Sequence, residues 1–251
     1  INQQNINLIA AVGINKVKVF KKIKIGYFTS GNELKLPTIK LKNSQINNSN
    51  YFSLNSLLDS AYISKKYCGN LQDSYQEVKR KLYKSSKNFN LIITAGGASV
   101  GDEDHLISVL QKIGKIFFWK AAIKPGRPLA IGKINKAYVV CLPGNPVSVN
   151  LLFAMLISPF IKSLAGGKFK KHKAELLYSN FSMKKKTKRM EWLRVIKKNI
   201  NKKNYALKYL KQGSGMISSI SYSDGIIEIP ENVSQIKKDD IFEFYSFENI
   251  F

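Results

Sequence analysis

The chain is 251 residues long and carries 41 lysines and arginines against 16 acids, a formal net charge of +25. Hydrophobic residues make up 44%, which supports a sizeable core and excludes a disordered basic tail; the length admits one large domain or two ordinary ones. Charge alone does not choose between a nucleic-acid binder and an enzyme with a basic surface, because it governs solubility and non-specific association rather than fold.

The opening INQQNINLIAAVG lacks a basic region ahead of its apolar stretch, so no signal peptide is expected. Ile1 is not an initiator residue, which fits the later part of a longer protein. From about Lys22, strand-like and helix-like segments alternate. KIGYFTSG (24–31) reads as a buried strand ending at Gly31. LNSLLDSAYISKKY, after Tyr51, has apolar residues at helical spacing, as does SYQEVKRKLY after Asp73. LIITAGG (91–97) is a second apolar strand, followed by the helix HLISVLQKIG. KIFFWK (115–120) and AYVVCLPG (137–144) are further strands. A helix then starts at Asn145-Pro146, with Asn as cap and Pro where no amide hydrogen is needed. Its apolar run VNLLFAMLISPFI, from Val149, is too short for a bilayer span and reads as a core helix, so no membrane association is expected. Such alternation predicts a mostly parallel sheet with both faces covered, a three-layer α/β domain over 1–168. After Gly166-Gly167 the segments turn short and β-rich, which predicts a small all-β domain over 169–251.

The charge is scattered rather than concentrated. Only four arginines occur (Arg80, Arg127, Arg189, Arg194), and the one dense block is KKKTKR at 184–189. The accompanying excess of Asn and Ile fits drift in codon usage as well as it fits selection for charge. No basic stripe with interleaved aromatics or named nucleic-acid module is present, so no specific nucleic-acid partner is expected. Cys68 and Cys141 form neither a disulfide framework nor a zinc spacing; both read as small core residues in a reducing, cytoplasmic setting. His105 and His172 are not expected to be ligands.

Ligands of open α/β sheets bind beyond the carboxyl ends of the strands, and four unusual turns fall there. TSGNEL (29–34) follows the first strand. GGASVGDEDH (96–105) offers glycines and a serine where backbone amides can approach a phosphate. KPGRP (124–128) and LPGNPVS (142–148) are stiffened by prolines and supply Lys124, Arg127 and Ser148 as anion donors. Asp102, Glu103 and Asp104 stand beside this cradle. They would repel a phosphate unless a hard cation such as Mg²⁺ bridged them, or they merely favour the dipole of the next helix. Bland readings hold elsewhere too: Glu33 as a surface acid, Asp73 as a helix cap, Lys120 as a solvated strand end, Ser148 as early-helix filler and Ser214 as a turn residue.

In order along the chain, TSGNEL, GGASVGDED, FWKAAIKPGRP and LPGNPVS resemble the signature series of the molybdopterin molybdenumtransferases, the family that includes the gephyrin E domain. The likeness runs from LIAAVGI to the β-rich tail with its WLRV and QGSG motifs. It implies insertion of molybdate into adenylated molybdopterin with release of AMP. Glu33, Asp73 and Asp104 would hold the cation, with Asp73, Asp104, Lys120 and Lys124 serving catalysis. Lys124, Ser148, Arg194 and Ser214 would bind molybdate, a tetrahedral dianion that one Lys, one Arg and two hydroxyls can neutralise and hydrogen-bond. Thr29, Ser30, Gly31, Asn50, Gly96, Gly97, Ser99, Gly101, Pro125, Gly126, Arg127, Gly144 and Asn145 would contact the pterin nucleotide. Asn32 departs from the family's usual Asp.

Family members carry two further domains ahead of the matched region, one completing the active site of the partner subunit in a dimer. The resemblance therefore implies a homodimer, with the adenylyltransferase of the preceding step as a further partner. The alternatives are an impaired molybdopterin-binding scaffold, the adenylyltransferase reaction itself, or a nucleic-acid binder.

Overall fold

A computed structural model describes residues 1, 3–97, 105–186 and 188–251. Helix α1 (Gln3–Ala11) buries no residue. The first sheet has six strands: β1 (Ile23–Ser30), β2 (Ile63–Leu71), β3 (Leu91–Ala95), β4 (Lys115–Trp119), β6 (Ala130–Ile134) and β7 (Ala137–Leu142). Their order is β2-β1-β3-β7-β6-β4. β1 runs parallel to β2 and β3, with Ile25 opposite Leu91 and Thr29 opposite Ala95. β3 is parallel to β7, whereas β6 is antiparallel to both β7 and β4, so one reversed strand interrupts an otherwise parallel sheet.

The apolar strands β1, β3 and β7 are buried throughout or nearly so, as expected of a sheet covered on both faces. On one face Ile25, Tyr27, Ile93 and Val140 pack with α2 (Ser49–Leu57) and the long helix α5 (Pro146–Leu164). On the other, Phe28, Ile92, Val139 and Cys141 pack with α3 (Tyr75–Ser86) and α4 (His105–Ile113). α5 contains a π-helical turn at Phe153–Ile157, just before Pro159. It is 19 residues long, enough by length and apolarity to cross a bilayer, and thus longer than its apolar run suggests; 56% of it is buried inside the protein. It packs as a core helix.

The helical spacing after Tyr51 misleads. The helix ends at Leu57, and Ile63–Leu71, much of it within the predicted helix, is the edge strand β2. Apolar spacing in LNSLLDSAYISKKY fits both periods over so short a stretch, and pairing with β1 decides the outcome. The sequence signals β6 only weakly, because Gly132 and Lys133 interrupt its apolar residues.

The C-terminal region forms a second sheet from β8 (Glu175–Ser179), β9 (Met190–Ile200), β10 (Lys203–Lys208), β11 (Gly225–Ile229) and β12 (Ile241–Ser246). The order β10-β8-β12-β11-β9 closes on itself because β10 also pairs with β9, giving a small barrel around Leu177, Leu193, Val195, Ala206, Ile227 and Phe244. Closure removes the unpaired edges. The barrel also recruits β5 (Ile123–Lys124) from the KPGRP turn, parallel to the start of β9. Trp192, Ile226 and Tyr245 join the core on the α5 side of the first sheet. The β-rich region is thus packed against the α/β layers rather than tethered to them.

Candidate functional site

A cleft of about 670 Å³ opens at the carboxyl ends of β1, β3 and β7. Its lining includes Ser30, Gly31, Glu33, Asn50, Asp73, Gly96, Gly97, Gly144 and Asn145, all singled out in the sequence. Asn47, Ser49, Pro128, Pro143, Gly215 and Ile217 line it as well. Gly215 and Ile217 come from the C-terminal region, so both parts of the chain wall the cleft.

Close approach of β1 and β3 makes the floor. Gly96 has φ +97°, and a Cβ there would collide with the Ser30 carbonyl oxygen. Gly31 (φ +138°) lies under the Glu33 carboxylate, whose Oε2 would stand 2.5 Å from any Cβ built on it. These two glycines are therefore fixed by geometry. Asp73 does not cap α3: Ser74 does, with its Oγ accepting from the Glu77 amide at 3.5 Å, and Asp73 faces the cleft. Two carboxylates thus face one cavity whose described lining holds no lysine or arginine.

Asn50, 4% exposed, donates from Nδ2 to the Gly144 carbonyl at 2.7 Å, while its buried Oδ1 has no partner among the described residues. A buried acceptor left open at a cleft wall is costly unless a ligand N–H or O–H fills it. Thr29 lies beneath the cleft rather than in it, fully buried. Its Oγ1 accepts from Asn48 Nδ2 at 2.9 Å, donates to Asn70 Oδ1 at 3.0 Å and meets the Tyr67 hydroxyl at 2.9 Å. Asn48 also caps α2 through the Tyr51 amide, and Asn70 donates to the Gly31 carbonyl at 2.7 Å. Thr29 is therefore a support that fixes the Gly31 turn and the start of α2 together. Sequence reasoning missed Asn70 and Tyr67 because they belong to the strand read as helix or lie just past it. Asn48 had a signal, the NNSN turn.

The anion donors divide. Ser148, 2% exposed, lies in the first turn of α5, and the neighbouring Val147 amide donates to the Ser214 carbonyl at 3.1 Å. Asn145 occupies the cap position of that helix without a side-chain cap bond. Arg194, 1% exposed, spends three N–H groups on protein: Nε to Ser219 Oγ at 3.1 Å, Nη1 to the Trp192 carbonyl and Nη2 to the Gly213 carbonyl, both at 3.3 Å. Its backbone amide also binds Gln212 Oε1 at 3.1 Å. Burial pulls its pKa down to about 10, partly opposed by the Glu191 carboxylate. Arg194 thereby ties down the loop that carries Ser214 and Gly215.

Lys124 and Lys120 do not line the cleft. Lys124, with its side chain 55% exposed, pairs with Glu191 Oε1 at 2.8 Å. Lys120, at φ +68°, lays its ammonium over the Trp119 ring at 4.2 Å. Pro125 and Gly126 are buried, Gly126 against Leu152, while Arg127 is exposed; of that turn only Pro128 reaches the cleft. The Lys124–Pro125 peptide is cis. Ser99, Gly101 and Asp104, with Asp102 and Glu103, lie outside the described residues. Among the described residues no cluster of three or more His, Cys, Asp or Glu could hold a metal. His172 bonds the Ala154 carbonyl at 2.9 Å, and Cys141 is fully buried in β7.

Comparison with known proteins identifies the family. Residues 26–163 match the probable molybdopterin binding domain, and residues 177–247 match the MoeA C-terminal region, domain IV. The chain belongs to the molybdopterin molybdenumtransferase family. It is 36% identical over 188 residues to the molybdopterin molybdenumtransferase of Haemophilus influenzae, covering 74% of this chain and 46% of that one. It is 30% identical over 235 residues to the molybdenum cofactor synthesis protein cinnamon of Drosophila melanogaster, 91% of this chain and 38% of the relative. The crystal structure of a molybdopterin biosynthesis moeA protein from Pyrococcus horikoshii superposes with a TM-score of 0.81 at 29% identity, covering 98% of this chain and 60% of that one. The chain thus spans about half the length of the relatives it matches.

Proposed function

We propose that this chain carries the cofactor-binding and C-terminal regions of a molybdopterin molybdenumtransferase, which inserts molybdate into adenylated molybdopterin and releases AMP. One observation carries the reading beyond family membership. Glu33 and Asp73 face a cleft of about 670 Å³ at the strand ends, roomy enough for a nucleotide-sized ligand, with glycine turns on its floor and no lysine or arginine in its described lining. Such a donor set suits an anionic ligand only through a divalent cation. Glu33 and Asp73, with Asp104, would hold Mg²⁺, which supplies polarisation of the phosphoryl oxygens. Asn50 Oδ1 would accept from a pterin N–H. The turns at Gly96, Gly97, Ser99 and Gly101 would receive the phosphates on backbone amides. Ser148 of α5, Arg194 of β9 and Ser214 of the loop that Arg194 fastens would hold molybdate, with Lys124 and Lys120 contributing positive charge from outside the cleft lining. In that reaction water would add to phosphorus and the anhydride bond would break to free AMP; the two dithiolene thiols would bind molybdenum through sulfur, their protons leaving with one displaced molybdate oxygen as water.

We place the chemistry in the cytoplasm, in a homodimer that receives its substrate from the adenylyltransferase of the preceding step, and the domain boundary near residue 168. The test is molybdate- and Mg²⁺-dependent release of AMP from adenylated molybdopterin by this chain. Release that needs both supports the reading. Binding without release under any condition indicates a scaffold, and ATP-dependent adenylation of molybdopterin indicates the preceding step; either result overturns it.

A further inference from the structure

The KKKTKR block has no place in the cleft. Four of its residues, Lys184, Lys185, Lys186 and Arg189, instead line a separate cavity of about 240 Å³ together with Lys124, Met183 and Glu191. Lys124 and Glu191 neutralise one another at 2.8 Å. Lys185 is 8% exposed, and its ammonium is held by the Pro230 and Val233 carbonyls at 2.9 and 3.0 Å, with no carboxylate bonded to it among the described residues. Desolvation pushes its pKa down, against the pull of Glu191 and Glu231. Lys184 and Lys186 are exposed and Arg189 is half-buried, and no ion pair is formed by any of the three among the described residues. Four cations therefore converge on a small space whose one acid among the described lining residues is already paired.

We propose that this cavity is a second oxyanion site, taking a tetrahedral dianion of the molybdate class. A liquid water takes up about 30 Å³, so the space admits one tetraoxyanion with part of its hydration shell. It is too small for a nucleotide chain, and its described lining holds no aromatic ring on which a base could stack. Arg189 can offer paired N–H donors to two oxygens, Lys184 and Lys186 point charges, and buried Lys185 a fixed positive field. The site shares only Lys124 with the set Lys124, Ser148, Arg194 and Ser214, and none of its described lining residues lines the cleft. It rests on the proposed function only in making molybdate the physiological ion.

The probe is tungstate, with the same charge and shape and strong anomalous scattering, soaked into crystals of the whole chain. The expected result is an anomalous peak within hydrogen-bond reach of Arg189 and one of Lys184 or Lys186. Equilibrium dialysis with molybdate in 0.15 M KCl should count one more bound ion on the unaltered protein than on Lys184→Ala/Lys186→Ala/Arg189→Ala. If the triple variant loses its far-UV circular dichroism, Arg189→Gln takes its place, with at least a tenfold weakening expected. An unchanged ion count, no peak in the cavity, displacement by chloride alone, or binding of long polyanions without small ones would overturn the proposal. Failure of AMP release would sink the function proposed above and leave the ion count untouched.

Discussion

Two cavities each take one residue of the KPGRP turn, Pro128 in the cleft and Lys124 in the other, and they are opposite in charge. The cleft above the strand ends presents Glu33 and Asp73 with no described lysine or arginine, in a chain of net charge +25. The cavity below the block at 184–189 presents five cations and one paired acid. The contrast teaches that global charge does not say how a particular ligand is met. An anion can be bound through a bridging cation at one place and neutralised directly at another.

The sharpest way to break the comparison is to unfasten the loop that walls the cleft. Arg194→Ala removes three hydrogen bonds, two of them buried, from a charged group and should cost about 3 kcal/mol. Arg194→Lys should recover little, because an ammonium cannot reproduce the planar fork. Denaturant unfolding reads both, and the cationic cavity should keep its ion binding in each. Gly96→Ala comes next, at roughly 2 kcal/mol, from a strained left-handed residue and a clash with the Ser30 carbonyl. Its thermal midpoint should fall, and cleft binding should weaken further than stability alone requires.

These positions also mark what the sequence made legible. The glycine turns, Glu33, Asp73 and Asn50 converge on one cleft because strand ends and turn residues are local signals. The Thr29–Asn70–Tyr67 support was hidden, since it depends on pairing β1 with a strand whose sequence also fits a helix. Arg194 was noticed for its rarity, yet its attachment to Gly213 and Ser219 depends on how the barrel folds back on itself. Lys124 reads as an anion donor in sequence, and only the recruitment of β5 into the barrel shows that it meets Glu191. Local chemistry was readable; long-range pairing was not.

A smaller effect concerns the core shared by both regions. Burial pushes the hydroxyls of Tyr27 and Tyr245 up to about 12 from 10.0. Each contributes stability that is complete below pH 10 and is lost as pH rises through 10 towards 12, where the unfolded chain ionises first. The melting temperature should therefore drop across that window, less steeply in Tyr27→Phe. The smallest effect is expected from Lys124→Ala: its pair with Glu191 is more than half exposed on the lysine side, so the loss should stay below about 1 kcal/mol in urea unfolding.

The central claim is that the acidic cleft binds its anion through a divalent cation. Affinity for adenylated molybdopterin, measured with Mg²⁺ and again in EDTA, tests it most directly. Binding at least tenfold tighter with Mg²⁺, with the difference abolished by Asp73→Asn, is the predicted result. Equal affinity with and without the cation would contradict the account.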